Sequence, residues 1–147
     1  MKTKLSILIL LSGFISLAQN NSFTTNEISI NQYVDGTLLT PTNVTRPDLA
    51  IIIGGSGPTD RDGNQNFLKN NSLKKLAESL SAKEIATFRY DKRVVKQIRL
   101  GQIDNNIMFD DFVKDAVSVL DYFSTLLLVI QLNPKFLIIN IFYNLLE

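Results

Sequence analysis

Alternating apolar and polar residues run through EISINQYVDGTLLTP, residues 27–41. An alternation of period two is typical of a strand with one buried face. The Asp35–Gly36 pair interrupts it, and such a pair favours the positive φ angles of a tight hairpin turn. The pattern therefore predicts a β-hairpin whose turn is at Asp35–Gly36.

Two compact apolar runs follow the hairpin, at Leu49–Ile53 and Ile85–Tyr90. Short, largely β-branched or aromatic runs of this kind predict strands buried on both faces. Each run is followed by apolar residues that recur on one face of a helix. The first face comprises Leu73, Leu76, Ala77 and Leu80, and the second comprises Phe109, Phe112, Val113, Ala116, Leu120 and Phe123.

The order of these elements is hairpin, strand, helix, strand, helix. Strands that alternate with helices favour parallel pairing through crossover helices, so we predict an α/β fold over residues 27–123. Residues 91–106, DKRVVKQIRLGQIDNN, are interpreted as a polar, basic connection.

The N-terminus has the pattern of an export signal. Two lysines precede thirteen largely apolar residues, Leu5–Leu17, and small side chains then surround a cleavage position near Ala18. Thirteen residues are too few to cross a bilayer comfortably, which disfavours a membrane anchor. We therefore expect a signal peptide at residues 1–18, export to the periplasm or beyond, and a loose polar leader at residues 19–26.

The composition changes at residues 124–147, where Lys135 and Glu147 are the only charges. Their apolar residues follow neither a helical nor a strand period. Three interpretations stay open: a third parallel strand within residues 135–143, a membrane span disfavoured by several polar residues, or a tail that is not native to the domain.

Charge and composition exclude several kinds of site. A net charge of +1 gives no electrostatic reason to expect a nucleic-acid partner. The chain has no cysteine and no histidine, so it lacks thiolate ligands, cysteine nucleophiles and the usual general base. We expect no metal and no cofactor.

A glycine-rich loop follows the first buried run, in IIIGGSGPTDRDGNQ, residues 51–65. Its spacing fits neither a nucleotide P-loop, nor a dinucleotide fingerprint, nor a calcium loop. A loop that stabilises an oxyanion needs glycines, because its backbone N–H groups must approach the substrate. The candidates for this role are Gly55, Ser56 and Gly57.

Three segments carry a resemblance to a known family: IIIGGSGPTDRDGNQ, SLKKLAESLSAKEIATFRYDKR and FDDFVKDAVSVLDYF. They resemble secreted bacterial α/β-hydrolases of the dienelactone-hydrolase and serine-aminopeptidase-like kind, over residues 27–123. The resemblance implies a partial α/β-hydrolase fold, with hydrolysis of small-molecule esters, amides or peptides by a serine nucleophile. Val94 departs from it, since the family usually has a glycine there.

The nucleophile elbow of that family, G-x-S-x-G, is missing from the chain. Ser56 lies one residue from the pattern, with Pro58 in place of the last glycine, so we interpret it as a backbone donor. The expectation is a chain inactive by itself, truncated or frameshifted after about residue 123. The alternatives are a non-catalytic exported binding module and a membrane-tethered fragment.

Charged residues flank the glycine-rich loop and the end of the second buried run. They could contact a substrate, hold the loop in place, or pair with each other across the two segments, and the sequence leaves these roles open. The candidates for orienting the loop are Asp60, Arg61, Asp62, Asp91 and Arg93.

Overall fold

The computed structural model describes residues 22–129 and 135–140. They form a mixed α/β structure with one five-stranded sheet and three helices, which agrees with a partial α/β fold. The strands are β1 Phe23–Ser29, β2 Asp35–Pro41, β3 Leu49–Ile53, β4 Ala86–Tyr90 and β5 Phe136–Asn140. The helices are α1 Ser72–Ser81, α2 Arg93–Leu100 and α3 Phe109–Val129.

The strand order in the sheet is β1-β2-β4-β3-β5. β2 pairs antiparallel with both β1 and β4, whereas β3 pairs parallel with β4 on one side and with β5 on the other. The chain leaves β3 towards β4 and later crosses back to β5, so successive connections run in opposite directions at this strand. Ligands of open α/β sheets bind at such a point, beyond the carboxyl ends of the strands.

Apolar side chains pack on both faces of the sheet. On one face, Val119 and Phe123 of α3 join a cluster with Ile51 and Phe88, and the rings of Phe88 and Phe123 are 4.8 Å apart. On the other face, Leu73 of α1 belongs to a cluster with Ile52 and Leu39. Adjacent residues of β3 thus serve opposite faces, which explains its continuous apolar sequence.

The hairpin is present, but its turn is not at Asp35–Gly36. These two residues begin β2 and pair with Ser29 and Ile28, while residues 30–34 make the turn. The side-chain oxygen of Asn31 accepts hydrogen bonds from the N–H groups of two turn residues, at 2.8 and 3.0 Å. Glycine at position 36 serves close packing, because a Cβ atom there would lie 2.3 Å from the ring of Phe88.

The expected leader and the expected polar connection both contain regular structure. Residues 23–26 belong to β1, in register with β2, so the leader ends earlier than predicted. Their side chains are mostly exposed because β1 is an edge strand, which explains the polar sequence. Within residues 91–106, α2 forms and ends at Gly101, whose φ of +66° caps the helix.

The third helix begins at Phe109, at the start of the predicted apolar face, but its buried side differs from that prediction. Val119 and Phe123 are buried, whereas Phe109 is 76% exposed and Val113 is 46% exposed. The helix continues to Val129, so the domain boundary expected at residue 123 falls inside it.

The apolar tail contributes β5, which pairs in parallel with the whole of β3. This strand lies where a third parallel strand was one of the open interpretations. The predicted signal peptide and the first residues of the leader lie outside the described residues, as do residues 130–134 and 141–147. Among the helices described at 22–129, none has the length and apolarity that crossing a bilayer requires.

Candidate functional site

The segment that follows β3, residues 54–58, is called the glycine loop below. It leaves the carboxyl end of a central strand, and Gly57 adopts a φ of +77° that favours glycine. Thr59 and Gln65 stabilise the loop, since both donate side-chain hydrogen bonds to the carbonyl of Ser56, at 3.0 and 3.4 Å. The loop is therefore fixed through its carbonyl groups.

Lys92 contacts the glycine loop from the end of β4. Its ammonium group donates to the carbonyl oxygen of Gly55 and, at 3.0 Å, to that of Gly57. Burial lowers the pKa of Lys92 below its ordinary value. This contact depends on the strand order that places β4 beside β3, so the spacing of residues along the sequence does not indicate it.

The glycine loop also presents three successive backbone N–H groups. Within residues 22–129 and 135–140, those of Gly55, Ser56 and Gly57 donate to no acceptor. Ser56 itself is exposed. A cluster of backbone donors at the carboxyl end of a strand can stabilise negative charge on a bound molecule.

Asp60 organises the turn that follows the glycine loop. One of its carboxylate oxygens accepts hydrogen bonds from the N–H groups of Asp62 and Asn64, at 2.9 and 2.8 Å. The N–H of Asp60 donates to the carbonyl of Asn64 at 2.9 Å. Asp60 is thus a structural residue of this turn, which agrees with the local charge network considered from the sequence.

Arg61 joins this turn to the end of β4 through Asp91. The backbone N–H of Arg61 donates to one carboxylate oxygen of Asp91 at 2.8 Å, and its guanidinium donates to the other at 2.7 and 3.0 Å. Arg99 of α2 donates to the same carboxylate at 2.7 Å. The ion pair between the two segments, one of the interpretations open from the sequence, is present in the structure.

Asp91 is charged although it is only 1% exposed. Burial alone would raise its pKa, but the hydrogen bonds and the positive charge of Arg61, together with Arg99, lower it below the ordinary value. A carboxylate with these partners is a fixed anchor, so it is a poor proton donor or acceptor for catalysis.

Three further contacts attach the turn to the sheet. The guanidinium of Arg61 also reaches Glu27 and, at 3.2 Å, the hydroxyl of Thr37. Arg89 of β4 donates to Asp62 at 3.0 Å. Asp62 and Arg61 therefore position the turn that follows the glycine loop, because they connect it to β1, β2 and β4.

Arg93 serves a different part of the molecule. Its guanidinium forms two hydrogen bonds with the buried carboxylate of Asp115 in α3, at 2.8 and 2.7 Å, and lies 4.4 Å from the centre of the Tyr33 ring. No described contact joins it to the glycine loop. Arg93 connects α2 to α3 and to the hairpin turn, so its predicted role in orienting the loop is replaced by one in packing.

An apolar groove of about 710 Å³ lies between the glycine loop and α3. The loop and Lys92 form one wall, and the exposed side of α3 forms the other. The apolar residues that line the helix side include Phe112, Val113, Ala116, Val117 and Leu120. Phe112, Val113, Ala116 and Leu120 were predicted to face the core. In the structure Val113 is exposed and the other three are half-buried, so the loop has an apolar neighbour.

Donors are present at this site, but a nucleophile paired with a general base is absent. The chain has no histidine, and Ser56 makes no described contact with a basic side chain. Among the described residues, no group of three or more acidic side chains could hold a metal ion. Backbone donors of this kind have the chemistry to accept an anion as a partner.

Comparison with known proteins gives limited information. No protein-family model matches the chain, and no curated protein matches it. A solved bacterial esterase aligns with 58% of this chain and 34% of its own, at 12% identity and a TM-score of 0.23. The chain spans about a third of the length of that esterase.

Proposed function

We propose that residues 27–123 form the N-terminal part of an α/β-hydrolase domain. We also propose that the glycine loop donates backbone N–H groups to an oxyanion. The observation that supports this most is that the N–H groups of Gly55–Gly57, beyond the carboxyl end of β3, have no acceptor among the described residues. In α/β-hydrolases the loop between the third strand and the first helix supplies one such donor. The glycine loop lies between β3 and α1, in the corresponding place.

The proposed reaction is hydrolysis of an ester or amide bond in a small molecule or peptide, by an exported protein. A serine nucleophile would attack the carbonyl, and the loop would stabilise the negative charge that develops on its oxygen. One oxyanion donor of this kind contributes about 3 kcal/mol when a nucleophile is present. Since the printed sequence has neither G-x-S-x-G nor histidine, we propose that these 147 residues alone are inactive.

Titration with phenylphosphonate, a tetrahedral anion, tests the proposed role of the loop. We expect the amide resonances of Gly55, Ser56 and Gly57 to move in a saturable way in ¹⁵N–¹H spectra. The neutral dimethyl ester of the same compound is the ligand control, and it should leave these resonances unchanged.

Two substitutions at one position separate the backbone from the side chain. Ser56→Ala removes the hydroxyl and keeps the N–H, so binding should persist. Ser56→Pro removes the N–H, so binding should weaken. Loop resonances that ignore phenylphosphonate in the unsubstituted protein would contradict the proposal and favour the alternative, a non-catalytic exported binding module.

A further inference from the structure

Lys92 is a half-buried cation whose hydrogen-bond partners are carbonyl groups. Its ammonium donates to the carbonyls of Gly55 and Gly57, and no ion pair among the described residues includes it. Its basic neighbours along the chain differ, because Arg93 pairs with Asp115 and Lys96 pairs with Asp35. Placing a charge in a partly buried site without a counter-charge costs free energy, so another benefit must offset it.

The Gly55–Ser56 peptide connects Lys92 to the proposed donor. No cis peptide bond occurs in the described chain, and in a planar trans peptide the C=O and N–H groups point in opposite directions. With its carbonyl directed at Lys92, this peptide directs the Ser56 N–H away from the ammonium. A positive charge at the oxygen end also polarises the peptide and strengthens its N–H as a donor.

The second hydrogen bond has a different effect. The carbonyl of Gly57 belongs to the peptide bond before Pro58, whose nitrogen carries no hydrogen. This contact cannot strengthen a donor, but it holds the far end of the loop against the same ammonium. Lys92 thereby fixes both ends of the Gly55–Gly57 segment.

We propose that Lys92 is a positioning residue that fixes the Gly55–Ser56 peptide and polarises its N–H towards a bound anion. The inference rests on the proposed function of the glycine loop, and it concerns a residue that touches the loop and not the reacting atoms. Lys92, which follows β4, thereby influences the proposed chemistry of the loop that follows β3.

Three variants test this role, with phenylphosphonate as the probe. Lys92→Met keeps the length of the side chain and removes the charge; Lys92→Arg keeps the charge; Lys96→Met removes a nearby charge that does not contact the loop. Hydrogen bonds that involve a charge are stronger than neutral ones, so we expect Lys92→Met to weaken binding roughly five- to tenfold. Lys92→Arg should retain most of the affinity, and Lys96→Met should leave it unchanged.

The Ser56 and Gly57 amide resonances without ligand give a second, independent readout. Lys92→Met should shift them while the resonances of core residues such as Phe88 stay in place, which also verifies that the variant is folded. The inference would be overturned if Lys92→Met had the same Ser56 resonance and the same phenylphosphonate affinity as Lys96→Met. If phenylphosphonate fails to bind the unsubstituted protein, the proposed function fails, and the ligand-free shifts still decide whether Lys92 positions the loop.

Discussion

At the scale of single residues, Asp91 holds the candidate site together. It accepts hydrogen bonds from the backbone and guanidinium of Arg61 and from Arg99 while almost fully buried. Removing one partner of a buried ion pair leaves the other charge without compensation. The site therefore depends on a residue that takes no part in the proposed chemistry.

We expect Asp91→Asn to lower the free energy of unfolding by about 1–3 kcal/mol, because Arg61 would lose its buried counter-charge and keep only the exposed Glu27. Urea denaturation measures this difference. The matched control is Asp121→Asn on the exposed side of α3, which should change stability by less than about 0.5 kcal/mol. Equal effects of the two substitutions would contradict the anchoring role.

The pKa of Asp91 also predicts how stability depends on pH. Its pKa in the folded state is below the ordinary 3.8, so its contribution is fully present above that pH. The contribution is lost as pH falls from 3.8 through the folded-state pKa. The difference in unfolding free energy between the unsubstituted protein and Asp91→Asn should therefore be constant near neutral pH and shrink below pH 3.8; a difference that grows on acidification would contradict this.

Gly36 illustrates a second residue-scale effect, that of close packing. A Cβ atom at this position would lie 2.3 Å from Phe88 and 2.7 Å from the carbonyl oxygen of Arg89. We expect Gly36→Ala to destabilise the protein by about 1–3 kcal/mol, as overpacking typically does. The loss is measured as a fall in the midpoint of urea denaturation.

Gly54→Ala is the matched control for Gly36→Ala. Its Cβ atom would meet other atoms at 3.7 Å or more, and its φ is not positive. This substitution should be neutral or stabilising by up to about 1 kcal/mol, because alanine restricts the unfolded chain. A Gly36→Ala variant as stable as Gly54→Ala would show that the sheet relaxes around the added methyl group.

At the scale of elements, apolar periodicity predicted those strands and helices whose buried residues recur at a regular spacing within the element. The strands β3 and β4, helix α1 and the start of α3 follow from their apolar spacing. Helix α2 was missed, since its apolar residues alternate with basic ones. Arg93 is buried through its contacts with Asp115 of α3 and Tyr33 of the hairpin turn. The hairpin turn was misplaced because an Asp–Gly pair signals a turn, whereas here the glycine makes room for Phe88.

The candidate site was predictable to a similar extent. The spacing of glycines placed the loop after a buried strand, and Asp60, Arg61 and Asp62 do organise its continuation. The contribution of Lys92 could not be found this way. It requires the end of β4 to lie beside the end of β3, which only the strand order determines.

The attachment of α2 to α3 can be tested by a double-mutant cycle at Arg93 and Asp115. Arg93→Met leaves a carboxylate that is only 3% exposed without its partner, so we expect a loss of about 3–5 kcal/mol. The double variant Arg93→Met with Asp115→Leu should recover most of that loss, because neither charge is then buried alone. Urea denaturation of the four proteins gives the coupling energy, and purely additive effects would contradict the pairing.

At the scale of the whole molecule, the sheet brings the carboxyl ends of β3 and β5 together at the point where the connections diverge. The glycine loop supplies N–H donors at this edge of the sheet. Lys92, which follows β4, donates hydrogen bonds to carbonyl groups of the same loop. The printed sequence supplies no serine elbow and no histidine to work with them. We therefore propose a site that stabilises negative charge on a substrate oxygen.

The most direct test of that account is the intact mass of the purified chain after incubation with a serine-directed fluorophosphonate. We expect the mass to stay unchanged, because Ser56 has no general base and acts through its backbone N–H. A covalent adduct that forms on the unsubstituted protein and is absent from Ser56→Ala would contradict the account, since it would make this serine a nucleophile.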